Sequence, residues 1–246
     1  MKNGLAGIIE IVQLLHEDGC RFPGEILVTT YGLHEAPNGN SAAIIDLIRK
    51  GIVGDAAIVF ETVHSARGKA VVSGKGQSIW NLRIRRQGGV SHELNGPADA
   101  DDLLAGIHRV VKALYEESQR LQQGPTHPLL GPETLFVGQI HYGDFYNRCS
   151  TDCTIQGTRR WNPGSRFADV SRDFATLLSA MPLPETVSVD CDWIFVGEAY
   201  EMNPCERIVA TSRRLRGPSR GRRRQSPAFP RLLTRTGWCR SVGCRR

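Results

Sequence analysis

The sequence predicts an α/β fold in which a parallel-sheet layer is interrupted by a separate antiparallel layer. Three observations carry this expectation. Short β-rich runs alternate with amphipathic helical stretches over the first 61 residues. The apolar pattern then changes to residue-by-residue alternation at 79–86. Finally, the elements run strand, helix, strand, strand, helix, strand to about residue 200.

The elements follow in order. Ile8, Ile9, Val12 and Leu15 repeat at helical spacing, and Asp18-Gly19 supplies the stop. One Lys followed by acidic residues inside the apolar stretch marks an amphipathic helix rather than a signal peptide. After a Pro-Gly turn, residues 25–31 (EILVTTY) read as a strand. SAAIIDLIRKG then gives a helix with Ile44, Ile45, Leu47 and Ile48 inward, ending at Gly51. Residues 55–61 (DAAIVFE) form a second buried-looking strand, so this part predicts a parallel sheet.

SIWNLRIRRQG alternates as a half-exposed antiparallel strand does. A long helix is expected at about 99–123, with Leu103, Leu104, Ile107, Val110, Val111 and Leu114 on one side. TLFVGQIHYG and CTIQGTRRW are strands, RFADVSRDFATLLSAM is a helix after Pro163-Gly164, and VSVDCDWIFVGEAYE closes with a strand. That order is the split βαβ arrangement of a ferredoxin-like layer, one sheet covered by two helices. NPCERIVATSRR then predicts a further helix.

Composition narrows the function classes. No run approaches the ~20 apolar residues that a membrane-spanning helix needs. The seven cysteines are odd in number and irregular in spacing, which fits neither a disulfide framework nor a structural zinc motif; a reducing, cytoplasmic setting is expected. The net charge of +6 misrepresents the body of the chain. Residues 213–246 hold twelve Arg and no Lys, Asp or Glu, so the remainder carries −6, the difference between +6 and +12. Nucleic-acid binding would rest on that tail alone, which lacks periodicity and is expected to be disordered, so it is not the expected function.

His34-Glu35 sits just past the carboxyl end of the first predicted strand, and Glu61 ends the second. Binding sites of parallel sheets form at that edge, and two carboxylates with an imidazole suit a hard metal or zinc. On spacing alone the same residues also read as a turn cap at Glu35 and a solvated strand end at Glu61. His92 in a polar turn and Arg159-Arg160 at a strand end are open to similar surface readings. Cys149 and Cys153 are read as unpaired thiols, and His64, His108, His127 and His141 as structural.

Taken together, MKNGLAG, the paired polar motif after a strand, DAAIVFE, SHELNGP and NRCSTDCTIQGTRRWNPG appear in an order that resembles one family over residues 1–212. It is the zinc-dependent aminoacylase, acetylornithine deacetylase, succinyl-diaminopimelate desuccinylase and glutamate carboxypeptidase family. The resemblance implies two zinc ions, with cobalt or manganese as alternatives, and hydrolysis of amide bonds in N-acyl amino acids or small peptides. Glu35 and Glu61 match metal ligands, and His34 stands where the family has its general-base carboxylate. His92 matches the lid-domain histidine that polarises the scissile carbonyl, usually from the partner subunit of a homodimer. Asn147 and Arg160 match residues that hold the substrate's carboxylate, a task suited to the guanidinium fork.

The resemblance also implies boundaries: a partial catalytic domain at 1–68, a ferredoxin-like lid at 69–189, a return to the catalytic domain at 190–212, and the tail at 213–246. The family's bridging Asp and upstream His-x-Asp have no counterpart here, and the change near Ser212 has the composition of a shifted reading frame. A fragment with an incomplete metal site, and impaired activity, is therefore expected. The alternative is an inactive module that dimerises or binds ligand.

Overall fold

The computed structural model describes residues 2–19, 23–60, 71–96, 101–203 and 205–214. The described residues divide into two compact units, those within 1–72 and 202–214, and those within 73–201.

The first unit contains α1 (Lys2–Glu17) and α2 (Ala42–Arg49). α1 turns Ile8, Ile11, Val12 and Leu15 toward residues 26–29 and 56–60 around a cavity of about 130 Å³. Gly4 permits the approach: a Cβ there would stand 2.5 Å from the Phe60 carbonyl oxygen. α2 ends as its sequence predicts, with Gly51 at φ +77 just past the last turn.

The parallel sheet expected here is not formed among the described residues. Residues 25–31 and 55–60 are not hydrogen-bonded into any ladder, and Glu61 lies outside the described residues. All the observed pairings are antiparallel. Parallel strands are normally covered on both faces. Here Leu27, Val28, Ile58, Val59 and Phe60 are exposed, Val59 at 72%. The runs have the composition of buried strands, but no described neighbour pairs with them.

The second unit runs β1 (Ser73–Gly74), β2 (Gly76–Arg86), β3 (Ser91–His92), α3 (Asp102–Gln123), β4 (Thr126–His127), β5 (Gly131–Pro132), β6 (Thr134–Tyr142), β7 (Arg148–Cys149), β8 (Asp152–Trp161), α4 (Phe167–Ser179), β9 (Val187–Gly197) and β10 (Tyr200–Glu201). Its main sheet is antiparallel with the order β6-β8-β2-β9. Counting the four long strands along the chain, this is the order 2-3-1-4 of a ferredoxin-like layer, as the sequence predicts. Beyond it, α5 (Arg207–Arg214) belongs to the first unit and buries Val209.

Alternation builds the core. On β2 the side chains of Trp80, Leu82 and Ile84 face inward and are fully buried, with Cys153 and Ile155 beside them on β8. α3 covers this face with Leu103, Ile107, Val110, Leu114 and Leu121, and α4 with Val170 and Phe174. Leu104, expected on the buried side, is 53% exposed: it lies a helical step of about 100° from Leu103 and outside the stripe. The Trp80 ring meets Phe174 at 5.7 Å, which in turn meets Trp193 on β9 edge-on at 5.2 Å. Gly157 makes room for this packing, because a Cβ there would lie 1.9 Å from the Phe136 carbonyl oxygen and 2.3 Å from Trp80.

β1 pairs with β10 through Ser73↔Glu201 and Gly74↔Tyr200, bringing together the points where the chain enters and leaves the unit. The expected boundary at 189 therefore needs correction. It falls inside β9, whose register with β2 runs from Val187 to Gly197. From residue 215 the arginine-rich tail lies outside the described residues.

Candidate functional site

Two places in the second unit carry the polar side chains singled out by the sequence. The first is held by the two-residue ladder Ser91↔Cys149 and His92↔Arg148, extended by the Glu93 N–H donating to the Asn147 carbonyl at 3.0 Å. His92 stands before one turn of 3-10 helix, Glu93–Asn95, and its Nδ1 accepts from the Leu94 backbone N–H at 3.3 Å. The other ring nitrogen, Nε2, lies 2.8 Å from Nδ2 of the Asn147 carboxamide. Residues 55 apart in sequence are thus joined as one polar pair. The surrounding rim is apolar and open: Leu94 is 82% exposed and Tyr146 88%. Phe145 stacks on Tyr146 at 4.4 Å and lies under the Arg148 guanidinium at 5.8 Å.

The second place is the opposite end of the sheet. Arg160 on β8 pairs in register with Gln77 and Thr134, and its side chain is exposed. Nearby, Lys75 donates from Nζ to the Pro132 carbonyl, and burial followed by the Arg160 charge lowers its pKa. Arg159, by contrast, is buried and paired with Glu133 at 2.6 Å. Glu133 also accepts the Asn162 N–H at 3.1 Å, so this arginine is structural. From Asp152 to Arg160 the strand spans about 26 Å at ~3.3 Å per residue. Arg160 and the His92–Asn147 pair therefore occupy opposite ends of the sheet.

In the first unit, His34 and Glu35 are exposed. The Glu35 carbonyl, not its carboxylate, closes the turn by accepting the N–H groups of Gly39 and Asn40 at 2.9 and 3.0 Å. His34 Nδ1 lies 3.4 Å from the Ser41 hydroxyl, and the ring meets Tyr31 edge-on at 6.3 Å. Leu33, Asn40 and Ser41 adopt positive φ around this loop, a costly conformation for the branched Leu33. Among the described residues no group of three His, Cys, Asp or Glu side chains converges as metal ligands do.

Two participants were not singled out from the sequence. One is the Leu94 N–H, a backbone group that no side-chain pattern marks. The other is Lys75, whose proximity to Arg160 depends on strand pairing. Cys149 and Cys153 are free thiols as expected. His127 is structural: its Nδ1 accepts from the backbone N–H groups of Leu129 and Leu130.

No family model matches the chain, and no curated protein matches it. Solved structures do. Aminopeptidase PepT from Bacillus cereus is similar at 17% identity over 88% of this chain and 53% of its own, with a TM-score of 0.55. The fold is shared with that aminopeptidase. An amidase of the hydantoinase/carbamoylase family from Burkholderia phymatum matches 59% of this chain and 33% of its own at 15% identity and a TM-score of 0.45. A tripeptidase from Staphylococcus aureus matches 59% and 36% at 14% identity and a TM-score of 0.40. The chain thus spans about a third to a half of the length of these structures.

Proposed function

We propose that this chain acts in hydrolysis of amide bonds in N-acyl amino acids or small peptides that carry a free carboxylate. The observation that carries the reading is the His92–Asn147 pair, fixed by backbone bonds on a ferredoxin-like layer whose fold is shared with an aminopeptidase. Arg160 supplies the carboxylate clamp: its guanidinium is exposed, whereas that of Arg159 is committed to Glu133. His92 donates a hydrogen bond to the scissile carbonyl oxygen, where charge grows in the transition state. His34 is the proposed proton acceptor, a role that an imidazole nitrogen can fill.

The separation of the two ends of the sheet bears on assembly. A small substrate cannot span about 26 Å of strand, so His92 with Asn147 and Arg160 must come from different copies to meet at one substrate. A homodimer through the ferredoxin-like unit satisfies that requirement.

The zinc ions implied by the resemblance fit the described residues poorly. Glu35 has an exposed carboxylate without two further ligand donors beside it, and Glu61 lies outside the described residues. Catalytic zinc sites use three protein ligands. We route no step through a metal and expect turnover by this chain to be weak. That favours a second reading, a module that dimerises and binds ligand without turnover, supported by the self-contained core of the four-stranded unit.

The test is to dialyse the full chain, measure its zinc content, and offer it N-acetyl amino acids and dipeptides with and without added zinc. Release of free amine supports the first reading. Carboxylate binding that is lost in Arg160→Ala, with no turnover, supports the second. Absence of both overturns the two together.

A further inference from the structure

The geometry at His92 assigns its tautomer, and we propose that the Leu94 backbone N–H and the Asn147 carboxamide together hold the imidazole in the neutral Nε2–H form. The inference rests on the proposed role of His92 as a donor to a carbonyl oxygen. A backbone N–H can only donate, and that of Leu94 points at Nδ1 from 3.3 Å. Nδ1 is therefore the bare nitrogen, and the single ring proton sits on Nε2. An Nε2–H requires an acceptor. The group 2.8 Å away is the Asn147 carboxamide, placed with its Nδ2 toward the ring; both ring nitrogens of a neutral imidazole cannot accept, and the carboxamide oxygen and nitrogen exchange places by a half-turn about the last torsion. Two N–H donors cannot face one another at that distance, so the stable pair presents the Asn147 oxygen to the ring and its NH2 outward.

The frame around the pair resists rearrangement. His92 is locked to Arg148 in the β3–β7 ladder, and the Glu93 N–H is bonded to the Asn147 carbonyl. Backbone bonds therefore fix both partners, and only the side-chain torsions are left to adjust. The opposite tautomer would set its Nδ1–H against the Leu94 N–H and lose that bond.

The consequence is directional. The Nε2–H form offers a carbonyl oxygen a donor that is already oriented, with Asn147 serving as the resting acceptor that the substrate oxygen displaces. Asn147 and the Leu94 N–H are then positioning groups, and His92 alone touches the reacting carbonyl. Preorganised donors of this kind need no reorientation as charge develops.

The test is independent of turnover. The full chain, labelled with 15N-histidine, is examined by long-range proton–nitrogen NMR at about pH 8, where imidazole is ordinarily neutral. His92→Gln identifies the resonances. The expected spectrum shows Nδ1 unprotonated and Nε2 protonated at His92. A predominant Nδ1–H form, or an even mixture, overturns the proposal whether or not the chain hydrolyses amides. Leu94→Pro deletes the donor at an exposed position, and Leu94→Ala retains it. A rise in the Nδ1–H population in Leu94→Pro but not in Leu94→Ala supports the assignment. An unchanged tautomer in a folded Leu94→Pro overturns the role given to that N–H. Should Leu94→Pro not fold, the wild-type spectrum alone decides.

Discussion

Arg159 and Arg160 are consecutive on β8 and face opposite sides of the sheet. Arg159 is 8% exposed and its guanidinium is 2.6 Å from Glu133, whereas the Arg160 side chain stands in solvent. The period-2 geometry of a strand makes this unavoidable. The two substitutions should therefore separate cleanly. Arg159→Ala removes the ion-pair partner of the largely buried Glu133 and should cost about 3 kcal/mol of stability. Arg160→Ala should change stability by less than about 0.5 kcal/mol while weakening carboxylate binding. Urea denaturation of the two variants, alongside calorimetric titration with an N-acetyl amino acid, checks both halves. Equal destabilisation by the two would contradict the assignment.

The core offers a second prediction. At Gly157 a side chain would meet the Phe136 carbonyl and the Trp80 ring, neither of which has space to retreat. Gly157→Val should be severely destabilising and should reduce soluble yield. Trp80→Ala, which removes a fully buried indole from contact with Phe174, should cost about 3–5 kcal/mol. If Gly157→Val melts within a degree or two of the wild type, the strand pairing of β2, β8 and β6 is wrong.

How much of this was legible in the sequence depended on the range of the interactions. α1, α2, α3, α4 and the order of the ferredoxin-like layer follow from local periodicity, which each segment carries by itself. The split of Arg159 from Arg160 was also available, because alternation outward from the apolar Trp161 puts 159 on the same face and 160 on the other. The failures were non-local. Residues 25–31 and 55–60 have the composition of buried strands, but a ladder needs a partner, and a run cannot encode whether one lies beside it. The bond between His92 and Asn147 likewise joins positions 55 apart through a loop geometry that no motif announces. Glu35 lies in a turn that its backbone carbonyl closes, a group on which neither the ligand nor the cap reading of its carboxylate rested.

The buried Cys153 and half-buried Cys191 thiols give a prediction in pH. Burial raises the pKa of Cys153 to about 11 and of Cys191 to about 12, from an ordinary thiol value of 9.0. An acid whose folded pKa lies above its unfolded one stays neutral in the native state where the unfolded chain ionises. The associated stability is fully present below pH 9.0 and is lost as the pH rises through the folded values. Urea midpoints measured from about pH 8 to 11 should fall, and Cys153→Ala should fall less steeply than the wild type. Thiol labelling should follow accessibility among these cysteines, with exposed Cys205 reacting ahead of buried Cys153. A Cys153→Ala slope identical to that of the wild type would show that this thiol does not contribute.

The final prediction concerns where the second unit ends, because the sequence and the structure place that boundary differently. A fragment cut at 69–189 keeps only three of the eleven residues of β9. It would strip β2 of one ladder along its length and remove Cys191 and Trp193, both packed against the buried cluster. Trp193 is the edge-on neighbour of Phe174, so α4 would lose part of its seat on the sheet. A fragment of residues 73–201 keeps β9 and the β1–β10 pairing that joins its two ends. The longer fragment should unfold in one cooperative thermal transition followed by circular dichroism. The shorter one should show a broad transition or none, and should expose apolar surface to a hydrophobic dye. Cooperative unfolding of both at the same temperature would mean that β9 contributes little to the unit. Failure of 73–201 to fold would mean that its core depends on residues outside it.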